Sequence, residues 1–109
     1  AADRMSAELA TLTDPWQPGV LTLIGMTGRA GQAVGKPVGV CGEAAADPLL
    51  ACVLVGLGVT SLSAASAAVN AVGAKVASVT ADQCREAADA VLRTASSAEA
   101  RAVALAVLG

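Results

Sequence analysis

Gly35-Lys36-Pro37-Val38-Gly39-Val40-Cys41-Gly42-Glu43-Ala44-Ala45-Ala46-Asp47-Pro48 reads as a short apolar run, a polar turn and a restart. Pro37 to Cys41 is expected to be a strand, since proline is tolerated at a strand's first residue but opposes a longer strand running backwards. Asp47 offers a side-chain acceptor to the free amides of a first helical turn. Pro48 suits the first helical position because it has no amide to leave unpaired. The order is therefore strand, turn, helix. In parallel α/β folds, side chains at the carboxyl end of a strand sit at the mouth of the sheet, where functional groups converge. Cys41, followed by Gly42 and Glu43, thus comes first among the candidates for chemistry.

Downstream, the nearly all-apolar Pro48 to Leu57 predicts a helix covered by its neighbours and ended by Gly58, and Val59 to Ser63 reads as a second short strand. The unit from Pro37 to Ser63 has the length of a parallel crossover. A further helix is expected from about Ala67 to Val76. Thr80, with Gln83 three residues on, has the form of a capping box and opens a helix to about Thr94. Ser96 or Ser97 then caps a last helix through Leu108, with Glu99 in its first turn.

Upstream, residues 1–12 place apolar side chains at helical spacing, and Thr13-Asp14-Pro15 is expected to stop that helix. The turn from Asp14 to Gly19 feeds a second helix with an apolar face of Val20, Leu21, Leu23, Ile24, Thr27, Ala30 and Val34. Gly25, Gly28 and Gly31 interrupt it, each at a cost of up to about 1 kcal/mol relative to alanine, and their spacing would let the helix lie close to a sheet. The fold class is α/β, with two short parallel strands and five or six helices in one domain, 1–109. Such a sheet has two open edges, so the chain reads as part of something larger.

Composition narrows the function. Hydrophobic types make up 55% of the 109 residues and Trp16 is the only aromatic. A chain this long buries roughly two-thirds of its unfolded surface, but alanine contributes little area each, so close helix packing must replace large side chains. The formal net charge is -2, with no basic block and no stacking aromatics, which argues against a nucleic-acid partner. Cys41, Cys52 and Cys84 fit no zinc pattern, and histidine is absent. Leu49 to Val59 is too short to cross a bilayer, and Ala1-Ala2-Asp3-Arg4 lacks the form of a signal peptide. The expected setting is the cytoplasm, with reduced thiols and no membrane insertion.

Cys41 can be a nucleophile, a general acid or an inert core thiol. Without histidine to activate it, nucleophilic catalysis of the papain type fails, and proton donation is the surviving catalytic role. The structural alternative is a cysteine filling a small apolar gap, which is also how Cys52 and Cys84 read within their helices. Glu43 is either a solvated loop carboxylate or a member of the same mouth, and Asp47 reads as a helix cap. Arg4 carries a rigid fork of donors suited to phosphate or carboxylate, or else lies in solvent. Lys36, Arg29, Lys75, Arg85, Arg93 and Arg101 look spread over the surface and converge on nothing.

The run Gly35 to Glu43 with Asp47-Pro48, then Leu54-Val55-Gly56-Leu57-Gly58 and Leu62-Ser63, resembles the carboxyl-terminal end of enzyme I of the bacterial sugar phosphotransferase system. Ala1-Ala2-Asp3-Arg4, Asp14-Pro15 and Val20-Leu21-Thr22-Leu23-Ile24 resemble the same family in the same order, so the likeness covers essentially the whole chain. It implies the last part of a (β/α)8 TIM barrel that binds phosphoenolpyruvate and magnesium and mediates dimerisation. The position matching Cys41 implies a proton donor to the enolate carbon, the one matching Arg4 a contact to the substrate phosphate, and Gly42 and Glu43 the active-site rim. The longer parent would pass phosphate to its own histidine and on to the carrier protein HPr.

The family's phosphorylated histidine and magnesium carboxylates lie on earlier parts of such a parent. The 109 residues alone are therefore expected to be inactive and to bind no cofactor. Two departures stand out: Ala64-Ala65 stands where the family has a methionine and a polar residue, which implies a smaller wall beside the substrate, and Asn70 stands where it has a proline. Cys-Gly-Glu also resembles pyruvate phosphate dikinase and phosphoenolpyruvate synthase. A non-catalytic helical dimerisation module is the reading outside enzymes.

Overall fold

The computed structural model describes residues 14–109, so the helix expected over 1–12 and Arg4 lie outside the described residues. The described elements are α1 (Pro18–Val34), β1 (Gly39–Cys41), α2 (Glu43–Ala46), α3 (Pro48–Gly56), β2 (Ser61–Ser63), α4 (Ser66–Ala77), α5 (Ala81–Leu92) and α6 (Ser97–Leu108). The strands are parallel, with Gly39 opposite Ser61, Val40 opposite Leu62 and Cys41 opposite Ser63. Among the described residues, the α/β class, the two parallel strands and the helices α1, α3, α4, α5 and α6 agree with the expectation from sequence.

Local chemistry sets the helix ends. Pro18 opens α1, and the chain leaves it at Gly35 in the left-handed region, φ 68°, where a glycine carries no steric penalty. Asp47 Oδ1 accepts from the amides of Leu49 at 3.0 Å and Leu50 at 3.3 Å, with Pro48 at the first helical position, as Asp47-Pro48 predicts. Both bonds of the Thr80 and Gln83 capping box form, at 3.0 and 2.8 Å. Of the two candidate serines, Ser96 is the cap of α6, accepting from the Glu99 amide at 3.2 Å, and Ser97 is its first residue.

Each strand has three residues where five were expected. Pro37 has no amide to give a ladder, and Val38 is captured by a side chain instead. The Val38 amide donates to Thr60 Oγ1 at 2.9 Å, and that hydroxyl donates back to the Val38 carbonyl at 3.1 Å. The amides of Thr60 and Ser61 reach the same carbonyl at 2.8 and 3.3 Å, so regular pairing begins only at Gly39 and Ser61. The turn after β1 also holds a helical turn, α2, not foreseen from the sequence. Its Ala44 and Ala45 are buried, which draws the turn onto the core.

α3 is the centre of the core. Every residue from Leu49 to Leu54 is buried, because α5, α4, α6 and α1 all pack on this one helix. Among the described residues every buried side chain is apolar, and no charged group is enclosed. With small side chains the helices must touch closely. A Cβ added at Gly56 would lie 2.0 Å from the carbonyl oxygen of Cys84 on α5. One added at Gly28 would lie 2.1 Å from the carbonyl oxygen of Leu57. The glycines of α1 therefore seat it chiefly on the end of α3 rather than on a sheet; Gly31 alone faces the strand approach, against Val38 and Lys36.

Candidate functional site

The sheet has a covered face and an open one. Val40 and Leu62, with Val38 just before β1, pack on the helical core. Successive side chains of a strand point to opposite faces, so Gly39 and Cys41 share the other face with Ser61 and Ser63, and all four are exposed. Cys41 is the last residue of β1 and a free thiol, and the chain bends away at Gly42, φ 90°, a conformation that disfavours any larger residue. The Gly42 amide donates to the Ser63 carbonyl at 3.1 Å, which locks the end of β1 beside the end of β2.

Cys41, Gly42 and Glu43 therefore occur together at the carboxyl end of β1, all exposed, as the strand and turn reading places them. Glu43 begins α2. Cys52 and Cys84 are buried free thiols on α3 and α5, in keeping with their reading as core residues. Burial, and next the neighbouring thiol of Cys84, push Cys52 up to about 11, while Lys75 pulls the other way. Burial also raises Cys84. These two sulfurs are held as neutral, unreactive thiols, and the accessible one is Cys41.

Two cations have partners that the sequence did not indicate. Lys75 Nζ donates to the carbonyls of Leu108 at 2.8 Å and Gly109 at 3.1 Å, satisfying the end of α6. Arg101 lies 3.5 Å from Asp47 Oδ2 and 5.8 Å from the centroid of the Trp16 ring. Asp47 is the cap it was read as, and the same carboxylate also accepts from Trp16 Nε1 at 3.1 Å. Sequence reasoning missed Ser61 and Ser63 as neighbours of the thiol. Their alternation with Leu62 was the signal available, but only the register says which β1 residue each one faces.

The chemistry of the open face is modest and specific. It offers an exposed sulfhydryl able to give up a proton, two hydroxyls and a carboxylate at the rim. Among the described residues no three histidine, cysteine, aspartate or glutamate side chains gather where they could hold a metal ion. No helix of the described residues is long and apolar enough to cross a membrane.

Comparison with known proteins bears on the whole chain. Residues 1–81 match the family model for the PEP-utilising enzyme, PEP-binding domain. The chain is 54% identical over 108 residues to a phosphoenolpyruvate-protein phosphotransferase of Streptomyces coelicolor, covering 99% of this chain and 19% of that protein. It is 41% identical over 101 residues to a multiphosphoryl transfer protein of Rhodobacter capsulatus, covering 93% of this chain and 12% of the relative. It is also 39% identical over 99 residues to a phosphoenolpyruvate-protein phosphotransferase of Haloferax volcanii, at 91% and 18%. The chain thus spans less than a fifth of the length of these relatives. With the match running through β1, the turn after Cys41 and β2, the chain belongs to the PEP-utilising enzyme family and carries sequence of its PEP-binding domain.

Proposed function

We propose that the chain forms the last part of the phosphoenolpyruvate-binding barrel of an enzyme I type phosphotransferase, in which Cys41 protonates the enolate carbon as pyruvate forms. The observation that carries this reading is the position of Cys41: a free, exposed thiol at the carboxyl end of a parallel strand, on the face the helices leave open. In that step the S–H bond breaks, its electron pair stays on sulfur, and a C–H bond forms on the substrate. The family match through this segment supports assigning the thiol to that substrate class.

Arg4 is proposed to hold the substrate phosphate; it lies outside the described residues, and the assignment rests on its place in the matched sequence. Gly42 and Glu43 are proposed as the rim. The magnesium implied by the family would take its ligands from outside the described residues, which supply no suitable cluster. Closure of the barrel, dimerisation, transfer to a histidine and then to HPr, and a cytoplasmic setting belong to the same proposal for the longer protein, and the 109 residues alone are expected to be inactive. The phosphotransferase and multiphosphoryl transfer relatives favour this branch over a dikinase or synthase.

The test is Cys41→Ala in the longer protein. Pyruvate release from phosphoenolpyruvate is expected to fall at least a hundredfold, a typical contribution of a positioned acid, with an unchanged circular dichroism spectrum. Pyruvate release at the original rate would defeat the assignment.

A further inference from the structure

The open face of the sheet is a ladder of four small side chains whose pairing is specific. Ser61 stands opposite Gly39, and a Cβ added at Gly39 would lie 2.8 Å from Ser61 Oγ. The Ser61 hydroxyl therefore leans across onto β1 and fills the room that Gly39 leaves. One pair further on, at the carboxyl end, the residue of β1 is Cys41 and the residue opposite is Ser63. Neighbouring strands lie about 4.8 Å apart, so directly opposed side chains on one face are neighbours. The Gly42 amide on the Ser63 carbonyl, at 3.1 Å, prevents the two ends from slipping.

We propose that Ser63 is a positioning residue for Cys41, its hydroxyl orienting the thiol and then donating a hydrogen bond to the sulfur once that sulfur has given its proton to carbon. The inference deepens the reading of Cys41 as proton donor and rests on it. Proton donation leaves a thiolate on an open sheet face in a chain without histidine, so the charge needs a donor close by. Ser63 is the hydroxyl that the register sets directly opposite Cys41, whereas Ser61 stands opposite Gly39, one pair away. The sulfur is then reprotonated from solvent, which restores the starting state.

Two measurements decide it, one on this chain and one on the longer protein. Alkylation of Cys41 by iodoacetamide at pH 8, followed peptide by peptide in a mass spectrometer, reads the thiolate directly. Ser63→Ala should slow it about threefold to tenfold, the weight of one ordinary hydrogen bond on an exposed face. Ser63→Thr, which keeps the hydroxyl, should restore the rate, and Ser61→Ala should leave it within about twofold. Equal rates for the wild type and Ser63→Ala, or equal slowing by both alanine variants, would overturn the role. In the longer protein, Ser63→Ala should lower kcat for pyruvate release by a similar factor with KM for phosphoenolpyruvate unchanged. A Cys41→Ala protein that still releases pyruvate at full rate would instead remove the proton-donor reading, leaving the alkylation result to stand on its own.

Discussion

Trp16 Nε1 donates to Asp47 Oδ2 at 3.1 Å, across 31 positions of sequence. The same oxygen meets Arg101 at 3.5 Å, while the other carboxylate oxygen caps α3. One side chain therefore joins the turn before α1, the start of α3 and the first turns of α6. It also ends the loop that begins at Cys41, so the site's outer boundary is pinned to the core.

These three contacts differ in burial, and their removal should cost different amounts. Trp16→Phe keeps most of the buried ring but leaves the carboxylate one donor short, for about 1–2 kcal/mol. Asp47→Ala loses the cap and strands the indole N–H, for about 2–3 kcal/mol. Arg101→Ala removes a solvent-exposed ion pair and should cost less than about 1 kcal/mol. Urea unfolding midpoints of the three variants give the order, and a costlier Arg101→Ala would show that the ion pair outweighs the buried bonds.

Glycine substitutions separate contact from propensity. Gly56→Ala drives a Cβ to 2.0 Å from the Cys84 backbone, where nothing flexible can yield, and should cost more than about 3 kcal/mol or prevent folding. Gly73 lies inside α4 with nothing within 4 Å of an added Cβ, so Gly73→Ala should stabilise by about 0.5–1 kcal/mol. Thermal melts of the pair should move in opposite directions.

Stability should fall on the alkaline side. Burial, then Cys84, lift Cys52 from an ordinary 9.0 to about 11. Between those values the unfolded chain has lost a proton that the native chain keeps, so rising pH favours unfolding. The contribution is intact below pH 9 and is lost towards pH 11, at no more than about 1.4 kcal/mol per pH unit for this thiol. Urea titrations at pH 8, 9 and 10 should show the decline, and Cys52→Ala should flatten it while lowering stability at pH 8.

The three thiols should also label in a fixed order. Cys41 is exposed, whereas Cys52 and Cys84 are enclosed between α3 and α5. Under native conditions a maleimide should modify Cys41 alone, and the other two only as urea opens the helices. Early modification of Cys52 would mean that the α3 and α5 contact opens far more readily than its packing implies.

The site was legible where its signals are local. A thiol ending an apolar run, a glycine at the bend and Asp47-Pro48 opening a helix all act within a few residues of each other, and each is found where the residues place it. The extra helical turn at Glu43 and the short strands were not legible. They depend on Ala44 and Ala45 finding the core and on Thr60 seizing Val38 from 22 positions away.

By itself, the sequence determined the α/β class, the order of the main elements and the place of a thiol at the end of the first strand, because caps, turn residues and hydrophobic runs act over short stretches of chain. Tertiary structure alone decided that Cys41 faces Ser63, that Gly56 admits the backbone of Cys84, and that Trp16, Asp47 and Arg101 meet. Register and helix contact arise from fitting many small side chains together at once, and no single stretch of residues encodes which distant partner it will touch.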